Sequence, residues 1–488
     1  MSGPTTNLQE LRAIASRVMN ERGLVPAFTA TALAEVDRLA ALPRETGPSI
    51  RDLRSLLWCS IDNEDSRDLD QLSVSIPAEG GVRILVAIAD VDALVKKGSA
   101  IDEHAQTNTA TVYTAAQIFP MIPERLSTDL TSLNPDVERL TVVTDMLVGP
   151  DGRVKSADLY RALVLNHARL TYDDVAAWLD GVGPAPGPVA RDPALAEQLR
   201  VQDRCAQDMR ELRQEQGALS LGATESRVVF SGDGVAGIRT EEKNRAKEMI
   251  ENFMIAVNGA TARFLDARKV ASIRRVLRVP KRWDRIVQIA GELGVTLPTE
   301  PDPRALEVFL RDRRAQDPNH FAELSLAVVK LLGSGEYAVE LPGRPAGLHF
   351  GLAVKDYAHS TAPNRRFPDL VTQRLLKAAF EGGPSPYADE ELARLAEHCT
   401  RQEDNAAKVE RQVRKSASAL YLASRTGERF DAIVTGASPK GTYVRIFHPT
   451  AEGRVVRGHQ GMDVGEHVVV ELLKTDVAKG FIDFARAS

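Results

Sequence analysis

Between residues 8 and 19, "LQELRAIASRVM", the apolar positions Leu8, Leu11, Ala15, Val18 and Met19 recur at helical intervals. That spacing gathers them on one helix face. Gly23 and Pro26 end the helix. A second helix is expected from about Thr29, with Leu33, Val36 and Leu39 on one face. "LPRETGPSI" closes this helical module near residue 49. Its size admits a helix-turn-helix binder, but two helices docked on the next domain is the simpler reading.

From residue 56 the pattern becomes that of strands. "LLWCSID", "LSVSI" and "VRILVAIADV" read as β, the last an unbroken apolar run suited to a strand buried on both faces. Helical periodicity returns over 195–216, 243–266, 281–293, 303–315, 320–334, 366–381 and 388–425. Residues 181–189, "GVGPAPGPV", read as a surface loop. The last 60 residues change again, to short strands separated by Gly, Pro and Asp turns. That rhythm fits a five-stranded OB-type barrel. There Tyr443 stands near Lys440 and Arg445. An aromatic among cations suits a stacked base beside phosphates, and it equally suits packing of the barrel.

Composition narrows the class. The chain has 488 residues, 43% hydrophobic and 26% charged, which is ordinary for a folded protein of two to four domains. The net charge of −5 means that any site for a polyanion must be a local basic patch or a metal site. Cys59, Cys205 and Cys399 are far apart and form no zinc spacing. No signal-peptide core and no membrane-length apolar run is found. The expectation is a cytoplasmic protein with no membrane contact, and a monomer.

The acidic stretch "IDNEDSRDLDQLS", residues 61–73, gathers Asp62, Asp68 and Asp70. Like charges repel unless a cation joins them. Two aspartates two apart on extended chain point the same way, and "NEDS" can bend Asp62 toward them. Oxygen-only donors suit Mg²⁺. Taken alone, the stretch is better explained by a solvated acidic loop. "HSTAPNRRFPDLVTQRLL", residues 359–376, changes the balance. Arg365 and Arg366 stand at a helix start, where guanidinium groups and helix N–H groups both favour phosphate; an ion pair with Asp369 accounts for one of the two. Metal-binding carboxylates and a phosphate-facing arginine are two halves of a phosphodiester-cleaving site. The basic runs 268–285 and 408–415 are solvated faces or the walls of a polyanion path.

These residues together resemble the RNase II family, whose core is the RNB domain. "IDNEDSRDLDQL" resembles its catalytic signature. Residues 86–105, 110–133, 244–258, 348–376 and 406–415 resemble further family blocks in the family's order, over about 51–425. The tail resembles the S-one-type OB fold that ends such proteins. The resemblance implies an α/β (α+β) RNB catalytic core over 50–425, a helical module over 1–49 and a five-stranded OB-fold β-barrel over 426–488. It implies a 3′-to-5′ exoribonuclease acting on single-stranded RNA with a free 3′ end, using Mg²⁺ (or Mn²⁺) and releasing nucleoside 5′-monophosphates.

By position, Asp62, Asp68 and Asp70 fall on the family's metal-binding aspartates, and Gln71 on a fourth acidic position. Tyr113 falls on the aromatic that stacks on the terminal base, and Arg365 on the arginine that steadies the scissile phosphate. Glu251 and Glu410 fall on or beside glutamates that contact the terminal nucleotide, with helix-surface ion pairs as the alternative. Arg366 and Tyr443 complete the expected substrate contacts. The chain departs from the family at Gln71, which brings an amide oxygen but no charge. It also departs near "GALSLGATE", where Leu221 stands in place of a second aromatic. The helical module is expected to replace the two cold-shock-type barrels that commonly precede the core. A catalytically weakened RNA-binding protein on the same fold is the alternative function.

Overall fold

The computed structural model describes residues 7–39, 45–221, 225–231, 234–241, 243–318, 320–439 and 441–487. Helix α1 (Asn7–Glu21) forms where the periodicity predicts it and buries Leu11, Ile14, Ala15, Val18 and Met19. Helix α2 (Ala30–Leu39) turns differently. Ala32 and Val36, four apart, face inward, while Leu33 is 49% exposed. Leu33 lies about 100° round the helix from Ala32 and about 60° beyond Val36, at the edge of the inward face.

The core opens with β1 (Ile50–Asp52), β2 (Cys59–Asp62), β3 (Gln71–Ala78) and β4 (Gly81–Ala89). Helix α3 (Ala100–Asn108) and a separate hairpin, β5 (Val112–Tyr113) with β6 (Ile118–Phe119), follow. Strands β7 (Glu138–Val148), β8 (Val154–Leu165) and β9 (Ala168–Thr171) complete a seven-stranded sheet of order β1-β8-β7-β4-β3-β2-β9. Its edges, β1 on β8 and β2 on β9, are parallel; the pairs between are antiparallel. The unbroken apolar run of β4 has a simple cause. Leu85, Ala87 and Ala89 feed one core cluster, and Ile84, Val86 and Ile88 the other. Both faces are covered, so no polar alternation is needed.

Strands β7 and β8 were not expected from the sequence pattern. Polar residues interrupt them, and the fold satisfies those residues internally. The buried Asp145 pairs with Arg83 and accepts from Tyr160 Oη, and Thr141 Oγ1 donates to the Ala162 carbonyl.

Helices α4 (Tyr172–Leu179), α5 (Gly187–Arg191) and α6 (Pro193–Glu215) come next, so the expected loop 181–189 ends inside α5. The hairpin of β10 (Glu225–Ser231) and β11 (Gly234–Glu241) leads to α7 (Arg245–Ala267). Strand β12 (Ser272–Val276) pairs with β13 (Glu336–Glu340) across a helical insertion of α8 (Trp283–Glu292), α9 (Pro303–Gln316) and α10 (Phe321–Leu332). Asp192-Pro193 and Asp302-Pro303 start α6 and α9 in the same way. The aspartate accepts two backbone N–H groups and proline takes the first helical position, where no N–H is needed. Helices α11 (Phe367–Phe380) and α12 (Asp389–Leu422) close the core.

The C-terminal strands β14 (Arg429–Ser438), β15 (Gly441–Ile446), β16 (Ala451–Arg457), β17 (His467–Asp476) and β18 (Phe481–Arg486) form a closed barrel of order β14-β15-β16-β18-β17. Closure requires Gly453, where a Cβ would stand 2.4 Å from the Ile482 carbonyl oxygen. The protein is thus a mixed helix-and-sheet core with N-terminal helices and a C-terminal five-stranded barrel. Among the described residues no helix is long and apolar enough to cross a membrane.

Candidate active site

Three chain segments meet at one end of the sheet. The first is the acidic loop between β2 and β3. Asp62 ends β2, and its Oδ1 accepts from the Asn63 N–H and Ser66 Oγ, both at 2.7 Å. The loop is pinned to the core through Leu69, whose N–H donates to Ser132 Oγ and whose carbonyl accepts from Leu133. Asp70 follows and is buried.

The second segment is Ala362–Arg366, just ahead of α11. Arg365 Nε lies 3.3 Å from Asp70 Oδ2, and the Asn364 N–H lies 3.3 Å from Oδ1. The Arg365 side chain remains half-exposed, so its guanidinium also faces solvent.

The third segment is the β5–β6 hairpin. Its stem pairs with the arginine segment: Thr111 N–H donates to the Arg365 carbonyl and Phe367 N–H to the Thr109 carbonyl. Tyr113 is 42% exposed, and its Oη donates to Asp68 Oδ2 at 3.3 Å. Its N–H donates to Glu410 Oε1, on α12, at 2.8 Å.

A buried ionic network holds α11, and with it the arginines, against the end of β4. Arg374 donates to Asp92, Asp102 and Tyr387 Oη. Lys377 pairs with Asp90 and Asp92, and Arg161 with Asp90 and Glu45. Glu45 is held down at about 2, first by its hydrogen bond to Arg161. Gln373 exchanges hydrogen bonds with the Ala89 carbonyl and the Asp92 N–H.

The electrostatics of the site are those of anions short of positive charge. Burial pushes the Asp70 carboxyl up to about 7, against the pull of Arg365 and with a further push from Asp68. Burial also raises Asp68, and Asp62 adds to that rise. The three carboxylates therefore feel one another. They do not converge on one point, and among the described residues no group of three or more His, Cys, Asp or Glu side chains forms a ready ligand set. Gln71 supplies the most telling atom. Its Nε2 donates to the Ile61 carbonyl at 3.0 Å, while its buried Oε1 has no partner. An orphaned amide oxygen on the residue after Asp70, together with under-compensated carboxylates in the same loop, is a donor set whose chemistry fits a hard divalent cation.

The remaining expected residues divide. Arg366 does not face the opening: it caps α11 and bonds to the fully buried Asp369 at 2.7 Å and to Thr361 Oγ1. The ion pair anticipated for one of the two arginines is thus its arrangement, and it lies in the interior. Glu251 pairs with Lys243 at 2.8 Å on an exposed part of α7, and no contact among the described residues joins it to the carboxylates. Tyr443 lies on the barrel with Lys415 Nζ 5.4 Å from its ring centre; Lys440 lies outside the described residues. Leu221 packs against the helical insertion, and the residues that follow it, 222–224, also lie outside.

Much of the basic run 268–285 is structural. Arg274 is buried against Glu340, Arg275 pairs with Glu403, and Arg285 donates to the Val464 carbonyl. These guanidiniums join strands and domains, so they are not free walls of a polyanion path.

Two residues at the site carry no local sequence signal. Tyr172, first residue of α4, has a hydroxyl whose acidity is suppressed by burial and by Asp62, with Arg365 opposing. Asn364 is buried, with its backbone on Asp70 and its Oδ1 accepting from Thr131 Oγ1 at 2.6 Å.

The model of the RNB domain matches residues 50–382, and that of the RNase II-type exonuclease C-terminal S1 domain matches 428–487. Ribonuclease R of Escherichia coli is 31% identical over 429 residues, covering 83% of this chain and 51% of the relative. Ribonuclease R of Aquifex aeolicus is 28% identical, covering 96% and 69%. The chain thus spans about half the length of the E. coli relative. The solved structure of Mycoplasma genitalium RNase R in complex with ribose-methylated single-stranded RNA superposes with a TM-score of 0.87 at 23% identity, over 99% of this chain and 78% of that one. Coverage of 99% takes in α1 and α2. The N-terminal helices therefore lie within the part of the chain that superposes on that fold.

Proposed function

The chain belongs to the RNB-domain family, and from that premise we propose that it is a 3′-to-5′ exoribonuclease acting on single-stranded RNA and releasing nucleoside 5′-monophosphates. The observation that carries the reading is the meeting of Asp70 with Arg365 and of Asp68 with Tyr113 in one half-buried site. The ribonuclease R relatives and the RNA-bound neighbour support the substrate class.

Asp62, Asp68, Asp70 and the free oxygen of Gln71 are the residues that would hold Mg²⁺, with Mn²⁺ as the alternative. Such an ion supplies a more acidic water and a counter-charge for the leaving 3′-oxygen. The protein's own groups do the rest. Arg365, half-exposed and anchored by Asp70, faces the scissile phosphate and balances charge that builds on its oxygens. The ring of Tyr113 offers a platform for the last base, which is indifferent to sequence because every base has a π-face. Glu410 fixes that platform through the Tyr113 N–H. Arg366 contributes by holding the Arg365 turn rather than by touching RNA. Tyr443 with Lys415, on the barrel side, extends the grip on the strand farther from the 3′ end.

A second reading, an RNA-binding protein with weakened catalysis, is favoured by Gln71 alone, because it removes one charge from the donor set. A 5′-labelled oligoribonucleotide incubated with Mg²⁺ and then with EDTA separates the two. A ladder that runs down to the shortest products and is abolished by EDTA is expected. A gel shift with no products in either condition would overturn the enzyme reading.

A further inference from the structure

Among the described residues the Tyr113 hairpin joins no large sheet: β5 and β6 form a two-stranded sheet, tied at its stem to the Arg365 segment. Tyr113 is also too exposed for core packing to fix its ring. Something else must hold the hairpin at its distance from Asp68. One support is α12, through Glu410. Another, besides the backbone pairing of its stem with the Arg365 segment, is the N-terminal helix and the turn that follows it. Leu11, Ile14, Ala15, Val18 and Met19 of α1 form one buried cluster with Val112, Ala116 and Phe119 of the hairpin and with Val409 and Val413 of α12.

Polar contacts grip both ends of the hairpin. At its tip, Arg12 Nε donates to the Ala116 carbonyl at 3.3 Å. On the stem side, at the end of α3, Asn108 clamps the turn after α1: its Oδ1 accepts from the Val25 N–H and its Nδ2 donates to the Val25 carbonyl, both at 2.8 Å. Gln402 of α12 joins the same two pieces, donating to the Gly23 and Thr107 carbonyls.

We propose that α1 is a positioning element for the terminal-base platform, and that Arg12 is its positioning residue: by holding the hairpin tip, Arg12 fixes the Tyr113 ring over the acidic cluster. This rests on the reading of Tyr113 as the base platform. Arg12 touches no reacting group. Its loss weakens the hold on the last base while the carboxylates and Arg365 stay in place.

The test places 2-aminopurine at the 3′-terminal or an internal position of a short oligoribonucleotide and reads its quenching on the full-length protein in EDTA, alongside steady-state kinetics in Mg²⁺. Arg12 is exposed, so Arg12→Ala folds. It is expected to relieve quenching at the 3′ position only and to raise KM about three- to tenfold with kcat within about twofold. Arg12→Lys keeps a donor and should recover most of the loss. Arg17→Ala is the control on the same helix; Arg17 bonds to Glu21 and to the Ala478 carbonyl of the barrel, not to the hairpin. Equal effects of the Arg12→Ala and Arg17→Ala changes, or unchanged 3′ quenching in Arg12→Ala, would overturn the inference. So would absence of 3′ quenching in the unaltered protein. Quenching without hydrolysis in Mg²⁺ would instead sink the enzyme reading and leave the positioning role standing.

Discussion

Arg365 Nε meets Asp70 Oδ2 at 3.3 Å although 295 positions separate the two residues in the chain. Its neighbour Arg366 turns inward to Asp369. Adjacent arginines thus have opposite duties, and substitution should separate them. Arg365→Met is expected to lower kcat by about 10²–10³, the usual cost of removing one preorganised charge-stabilising group, with little change in stability. Arg366→Met leaves the fully buried Asp369 without its cation and should cost about 3–5 kcal/mol of stability. Steady-state kinetics and urea denaturation of both variants check the pair of outcomes. The reverse assignment, with Arg366→Met stable but inactive, would mean that the inner arginine serves the chemistry.

The Asp70 carboxyl, raised to about 7 by burial, gives a pH dependence with a definite sign. A carboxyl raised in the folded state binds more protons there than in the unfolded chain between about pH 4 and 7. Its stabilising contribution is complete below about pH 4 and is lost as pH rises through 7, by at most about 4 kcal/mol. In EDTA, Asp70→Asn should therefore be more stable than the unaltered protein at pH 8 and close to it at pH 4. The difference in unfolding free energy across that range is the measurement. A flat difference would mean that Asp70 is already ionised and compensated in the metal-free fold.

How far the sequence reaches is plain from these residues. The helices carrying Arg12, Glu410 and the arginine turn follow their apolar periodicity to within about three residues, because one buried face dictates the period. Strands β7 and β8 escape it, since Asp145 and Thr141 break the apolar run and find partners only in the folded sheet. Asp70 and Arg365 stand out locally as part of an acidic cluster and an arginine pair, and the family blocks single them out. That Arg366 points inward and that Tyr172 reaches the site depend on contacts across more than one element, which no local pattern encodes. Leu33 shows the same limit at smaller scale: an apolar residue at helical spacing is buried only if a neighbour covers it.

The network under α11 predicts a variant that injures the site from a distance. Arg374 is almost fully buried and bonds at once to Asp92, Asp102 and Tyr387. Arg374→Met should destabilise the protein by about 3–5 kcal/mol, since both carboxylates lose a buried cation. Because α11 begins two residues after Arg365, a lower kcat should accompany the destabilisation near the unfolding transition and disappear well below it. Denaturation curves and rates at two temperatures check this. A rate loss equally large in the cold would mean that Arg374 acts on the site directly.

Tyr113 joins its Oη to Asp68 and its N–H to Glu410. The ring and the hydroxyl can be separated. Tyr113→Phe keeps the π-face and should leave KM within about twofold, while Tyr113→Ala should raise KM in proportion to one lost base stack, about 1–3 kcal/mol. Equal effects of the two changes, read from kcat and KM on a short oligoribonucleotide, would assign the role to the hydroxyl and not to stacking.

Gln71 poses the sharpest choice. Its amide does two jobs at once: Nε2 holds the Ile61 carbonyl beside Asp62, and Oε1 is left open. Gln71→Asp keeps an oxygen donor, adds a charge and loses the Nε2 donor. Two consequences should appear together. In EDTA the variant should melt lower, because a buried carbonyl loses its partner and another carboxylate joins Asp68 and Asp70. In Mg²⁺ the added charge should strengthen ion binding, lower the concentration needed for half-maximal rate and recover part of the lost melting temperature. Calorimetric titration of Mg²⁺ reads the binding without relying on activity. If the variant melts lower in EDTA and Mg²⁺ neither binds more tightly nor restores it, the amide belongs to the fold alone, and the coordinating set reduces to the three aspartates.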